Sequence, residues 1–123
     1  MATRTMTHEN FEETVASNDI VLIDFWAAWC GPCRSFAPTY EKVAQQYPDI
    51  VFAKVDTEVE QALATSFNIM SIPTLMVIRE NVVLLTQAGA LPERTLRDLV
   101  EKVRDLDMQE LHRQVSDQQN AGD

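Results

Sequence analysis

The sequence predicts an α/β fold: a single mixed β-sheet of four to five strands with helices on both faces. Three observations predict it. The run Ile20-Val21-Leu22-Ile23-Asp24-Phe25-Trp26 is nearly continuous in apolar residues, as in a strand covered on both faces, and Ile50 to Val55 reads as a second buried strand. Segments of helical periodicity stand between the strands, and a helix between successive buried strands implies parallel pairing. Near the end, Thr74 to Arg79 and Val82 to Gln87 flank only Glu80-Asn81, which predicts an antiparallel hairpin at the sheet edge.

Each element has its own local signal. The chain starts without a strand or with a short one. Thr7 can cap a short helix through about Asn18, with Phe11 and Val15 on one face. After the first strand, a helix from Cys33 to Tyr47 presents Phe36, Tyr40, Val43, Ala44 and Tyr47 at a period near 3.6. Pro38 lies inside it, removes a backbone donor and should kink it. Thr57-Glu58-Val59-Glu60 reads as a capping box, followed by a helix whose inner face is Val59, Ala62, Leu63 and Phe67. The hairpin turn has no glycine, but Asn81 tolerates positive φ. Pro92 suits a first helical position, and Leu96, Leu99, Val100, Val103 and Leu106 mark one long amphipathic face. Met108, Leu111 and Val115 can add two turns, and polar Ser116 to Asp123 reads as disordered. Residues 1–106 are thus expected to form one domain, with 107–123 a C-terminal extension that is partly helical or disordered.

Composition excludes several functions. The 123 residues suit one core, and the net charge of −9 argues against nucleic acid and against anionic lipid. No stretch approaches the ~20 apolar residues of a membrane span. Met1 to Asn18 is polar and acidic and lacks the pattern of a signal peptide, so a cytoplasmic location is expected. No long exposed apolar stripe asks for a partner, and a monomer is expected.

The chemistry concentrates in Trp29-Cys30-Gly31-Pro32-Cys33, which holds the only two cysteines. In a reducing compartment such a pair is catalytic or metal-binding rather than a structural staple. A structural zinc site takes about four ligands; His8 and His112 stand near opposite ends without ligand spacing, so no metal is expected. Cys30 falls at a helix N-terminus, where unsatisfied N–H groups and the dipole stabilise a thiolate. Cys33 lies one turn further in and should be more buried. The asymmetry makes Cys30 the attacking thiol and Cys33 the resolving one. Gly31 leaves Cys30 unshielded, and Pro32 restricts the ring. Asp24 is a carboxylate within the apolar run. Burial should raise its pKa and fit it to take the proton of Cys33, with Lys54 of the neighbouring strand tuning it; a strand-end carboxylate with no role is the competing reading. Ile72-Pro73 at the mouth of a strand is compatible with a cis peptide.

Taken together, these elements resemble the thioredoxin family. The resemblance rests on Trp29-Cys30-Gly31-Pro32-Cys33, Asp24-Phe25-Trp26, Lys54-Val55-Asp56, Ser71-Ile72-Pro73-Thr74 and Ala88-Gly89-Ala90, over about Thr3 to Leu106. It implies the thioredoxin fold and a protein-disulfide reductase that maintains cytoplasmic redox homeostasis. It implies a cis Pro73, pairing of the Ile72 backbone with substrate, and an apolar docking rim of Trp29, Gly31, Pro32, Ile72, Pro73, Gly89 and Ala90. It implies no bound cofactor, disulfide-containing proteins as substrates, and electrons from NADPH through a flavin-containing thioredoxin reductase. Departures from the family pattern are Ser71 for a glycine, Arg34 for a lysine, the glycine-free hairpin and the tail from Asp107 onward. Two other readings compete: a redox-inert binding module on the same fold, and an oxidase or isomerase. The Gly-Pro between the cysteines favours reduction.

Overall fold

The computed structural model describes residues 1–121; the disorder expected of Gly122 and Asp123 concerns residues outside these. The elements are β1 (Thr3–Thr5), α1 (Phe11–Ala16), β2 (Ile20–Trp26), α2 (Gly31–Gln46), β3 (Val51–Asp56), α3 (Gln61–Ser66), β4 (Thr74–Arg79), β5 (Val82–Ala88), α4 (Glu93–Arg104) and α5 (Met108–Ala121). They build one five-stranded sheet in the order β1-β3-β2-β4-β5. β1 and β2 run parallel to β3, and β4 runs antiparallel to both β2 and β5.

The strand alternation divides the core in two. Ile20, Leu22, Phe52, Leu75 and Val77 face α2 and α4, where they meet Phe36, Tyr40, Val43, Leu96 and Val100. Val21, Ile23, Phe25, Val55, Met76 and Ile78 face the other way and pack with Val15, Leu63, Phe11 and Phe67. Asp24 and Lys54 are paired in register. By the same alternation both belong to the α2 face.

Local chemistry explains where the elements depart from the sequence reading. Thr7 caps a turn rather than a helix: its amide donates to Asn10 Oδ1 and its hydroxyl accepts from the Asn10 amide, so α1 begins only at Phe11. The capping box at Thr57 is not formed. Thr57 directs both its amide (2.9 Å) and its hydroxyl (3.1 Å) to the Trp26 carbonyl, and α3 starts at Gln61. Val59 is consequently 73% exposed rather than an inner-face residue, and Ala62 is exposed as well. α2 runs on through an exposed Pro38. Pro92 sits just before α4, and its carbonyl accepts from the Leu96 amide.

The hairpin solves its lack of glycine by placing both turn residues in the left-handed region, Glu80 at φ 49° and Asn81 at φ 69°. A bulge follows, since Val77 pairs with Leu85 while Ile78 pairs with Val83. The extra residue, Leu84, packs with Leu85 against the α2 side of the core. The tail forms its own helix instead of extending α4 or becoming disordered at Ser116. Asp107 caps α5 by accepting from the Glu110 amide, and Met108 is buried.

At the sheet end where β4 leaves, Arg79 gathers the end of α4. Its guanidinium donates to the carbonyls of Val103 (2.7 Å) and Arg104 (3.2 Å) and pairs with Asp19 (3.3 Å). Beside it, His112 of α5 lies 2.8 Å from Glu80 Oε1.

Candidate active site

β2 ends at Trp26 and α2 starts at Gly31, so Cys30 is the N-cap of α2, in extended backbone conformation (φ −86°, ψ 112°). Its carbonyl accepts from the Arg34 amide (3.1 Å), closing the first helical turn. Its Sγ accepts from the Cys33 amide at 3.2 Å, so the sulfur takes the place of the usual capping oxygen. Proline at the first turn removes an amide that would have had no partner. Cys30 and Cys33 are joined as a disulfide with Cα atoms 5.2 Å apart.

Exposure does not separate the two cysteines as expected. Cys30 is 4% exposed and Cys33 3%, because Ala27, Trp26 and Ile72 pack over the ring. Position separates them instead. A surface groove is lined by Trp29, Cys30, Gly31, Pro32, Thr57, Ala64, Ile69, Met70, Ser71 and Ile72, and Cys33 is not among them. The Ile72–Pro73 peptide is cis, and the Ile72 carbonyl oxygen lies 3.7 Å from Cys30 Sγ. Pro73 is buried, and its carbonyl accepts from the Gly89 amide (2.9 Å). Gly89 has φ 98°, a conformation glycine adopts without strain. Gly89 and Ala90 are exposed beside Pro73, outside the groove lining. Trp29 is 67% exposed, and its indole N–H donates to Glu58.

Asp24 is fully buried, and both its carboxylate oxygens lack a hydrogen-bond partner among the described residues. Burial pushes its pKa up to about 7, against a smaller opposing pull from the Lys54 charge. Lys54 does not bond to it directly; its ammonium stands 4.9 Å from the centre of the Trp26 ring. The nearby Asp24 carboxylate also helps hold the phenol of buried Tyr40 un-ionised, after burial itself, and that hydroxyl donates to the Ala53 carbonyl (2.9 Å). The sheet tolerates the group because burial raises its pKa to about 7, so that below neutrality the folded chain holds it as the uncharged acid.

Sequence reasoning does not single out Thr57, Ala64, Ile69 and Met70 for the site; α3 brings Ala64 to the groove, and the segments before and after that helix bring Thr57, Ile69 and Met70. Only Met70 carries a signal, through its place next to Ser71-Ile72-Pro73. His8 and His112 are exposed, and no three His, Cys, Asp or Glu side chains converge to hold a metal among the described residues.

A cysteine pair that closes a four-residue ring on a helix cap, opens onto a groove, and has a neutral-poised carboxylate on the strand leading to it defines a thiol–disulfide oxidoreductase. Comparison with known proteins agrees. The thioredoxin family model matches residues 2–102. A Streptomyces coelicolor protein described as a putative thioredoxin 2 is 55% identical over 114 residues, 93% of this chain and 85% of the relative. Thioredoxin 1 of Synechococcus elongatus is 42% identical over 79% of this chain and 92% of its own. The solved structure of a point mutant of thioredoxin from Halobacterium salinarum superposes with a TM-score of 0.78 at 33% identity, covering 85% of this chain and 91% of that one. The chain belongs to the thioredoxin family and has its fold. Its activity is dithiol–disulfide exchange, with disulfide-containing substrates and a reductase partner. No helix among the described residues is long and apolar enough to cross a membrane.

Proposed function

We propose that Cys30 is the nucleophile of a protein-disulfide reductase and Cys33 its resolving thiol. The observation that supports this most directly is that Cys30 lines the groove and Cys33 does not. In the reduced protein the Cys30 thiolate keeps the N–H of Cys33 and the N-terminal end of α2 as stabilising partners. It attacks one sulfur of a target disulfide. A Cys30–target S–S bond forms, the target S–S bond breaks, and the second target sulfur leaves as a thiolate that takes a proton from water. Cys33 then gives its proton to the Asp24 carboxylate and attacks Cys30 Sγ. The mixed disulfide breaks, the target leaves with both sulfurs reduced, and two electrons have passed from the cysteine pair to the target. A carboxyl group with a pKa of about 7 suits that proton transfer near neutrality. Lys54 is a positioning residue whose charge restrains the upward shift of Asp24.

Trp29, Gly31, Pro32, Ile72, Pro73, Gly89 and Ala90 form the docking rim in this reading, with four of them on the groove itself. The Ile72 carbonyl lies 3.7 Å from Cys30 Sγ, where an extended target segment would pair with the Ile72 backbone. Residues 1–106 are the redox domain and 107–123 an appended extension, in keeping with a family match that stops at residue 102. The protein works as a cytoplasmic monomer, recycled by NADPH through a flavin-containing thioredoxin reductase; the exchange itself needs no bound cofactor.

Reduction of insulin by dithiothreitol tests the core of this reading. Wild type accelerates precipitation of the insulin chains, Cys30→Ser leaves the background rate, and Cys33→Ser accumulates the Cys30–target mixed disulfide. Equal rates for wild type and Cys30→Ser, or trapping at Cys33 in Cys30→Ser, would overturn the assignment.

A further inference from the structure

The chain has five methionines. Met6, Met76 and Met108 are buried, and Met1 is the first residue. Met70 is the exception: 92% exposed, and on the groove with Trp29, Cys30 and Ile72. Two of the chain's large exposed apolar side chains, Trp29 and Met70, therefore line the groove that also holds Cys30. An unbranched thioether there can adapt to targets of different shape. It is also chemically soft. In the oxidised protein both cysteine sulfurs are engaged with each other, which leaves Met70 as the oxidisable sulfur on the groove.

We propose that Met70 is a peroxide-sensitive docking residue, whose oxidation weakens target binding without altering the cysteine chemistry; this rests on the docking-rim reading above. A hydroperoxide transfers one oxygen to the Met70 thioether. The O–O bond breaks, an S–O bond forms, the sulfur gives up two electrons, and the peroxide leaves as water or an alcohol. The product is a polar sulfoxide on an apolar surface. A docking target must strip water from its oxygen and offers it no assured donor, so binding weakens. A methionine sulfoxide reductase reverses the change.

The test oxidises the disulfide form of the full chain with hydrogen peroxide and locates the added oxygen by peptide mass spectrometry. Rates are then measured with dithiothreitol as reductant, against insulin and against a small aromatic disulfide that makes no rim contact. Oxygen addition is expected at Met1 and Met70, with Met6, Met76 and Met108 protected. The KM for insulin should rise about fivefold, the loss of part of one apolar side chain's docking contact, while kcat and the rate on the small disulfide hold. Met70→Leu, which retains Met1, should show the same KM before and after peroxide. The proposal falls if Met70 stays unoxidised while Met1 reacts, if its sulfoxide leaves KM unchanged, or if Met70→Leu loses affinity on peroxide treatment as wild type does. Trp29→Ala separates the two levels of inference. A raised KM in Trp29→Ala beside an unchanged KM in the sulfoxide keeps the rim and rejects Met70, whereas no effect in either rejects the rim as well.

Discussion

Replacing Asp24 by Asn gives a stability difference that depends on pH in a defined way. The carboxylate has no hydrogen-bond partner among the described residues and a folded pKa of about 7, against 3.8 for the ordinary group. Between those values the folded chain holds a proton that the unfolded chain has released. Stability conferred by the neutral acid is thus complete below about pH 4, declines as pH rises, and is fully lost above about pH 7. At 1.36 kcal/mol per unit, the interval from 3.8 to about 7 amounts to about 4 kcal/mol. Asn cannot ionise and escapes the loss. The variant should match wild type within about 1 kcal/mol at pH 4, where both side chains are neutral, and exceed it by about 4 kcal/mol at pH 8. Urea unfolding at pH 4, 6 and 8, with the two proteins run in parallel, measures this, because every other titrating group cancels in the difference. A difference that does not change between pH 4 and pH 8 would mean that the buried carboxyl titrates in its ordinary range, and the proton-acceptor role would go with it.

Other perturbations follow from single contacts. Asp24→Asn should also slow release of the mixed disulfide more than its formation, read by rapid quench; equal slowing of both steps would assign it a merely structural effect. Tyr40→Phe removes the donor to the Ala53 carbonyl in the core and should lower stability by about 1 kcal/mol in urea titration, with insulin reduction retained. Arg79→Met strips the carbonyls at the end of α4 of a charged donor. It should cost about 1–3 kcal/mol and speed amide hydrogen exchange across α5. Gly89→Val forces a β-branched residue to φ 98°, and a loss of about 2 kcal/mol together with a raised KM for insulin is expected, since the Gly89 amide braces Pro73.

The sheet was legible because its information is local. A run such as Ile20 to Trp26 can be satisfied only by burial on both faces, and the two-residue gap at Glu80-Asn81 leaves only a hairpin. The start of α3 was not legible. Thr57 carries the right residues for a capping box, but the carbonyl that claims them belongs to Trp26, far away in sequence and adjacent only once β2 and β3 pair. The end of the tail was less legible for a related reason: polar composition from Ser116 onward suggested disorder, whereas α5 continues to Ala121 and Arg113 reaches Asp117 one turn ahead. At the site, the end of the apolar run at Trp26 and the helical pattern just after it foretold Cys30 at a helix N-terminus, as the cap geometry bears out, whereas the face on which Asp24 lies emerges only from the paired strands. The equal burial of the two cysteines was not foreseeable, because Ala27, Trp26 and Ile72 cover the ring from separate segments. Met70 had no more than its place next to Ser71-Ile72-Pro73 to mark it. It takes part in no periodic pattern, and only the fold brings it beside Cys30.

The contact between His112 and Glu80 has a geometric corollary. Glu80 follows Arg79, which pairs with Ile20 at the start of β2, while Cys30 lies just past Trp26 at its end. Seven residues of strand separate the two ends, about 20 Å at the usual rise. The molecule thus has an electrical pole and a mechanical pole. Electrons enter and leave at one end of β2, and the first turns of α5 are moored at the other. A fluorophore, resin or surface attached in those turns would hold the protein from behind, with its disulfide still facing the incoming target.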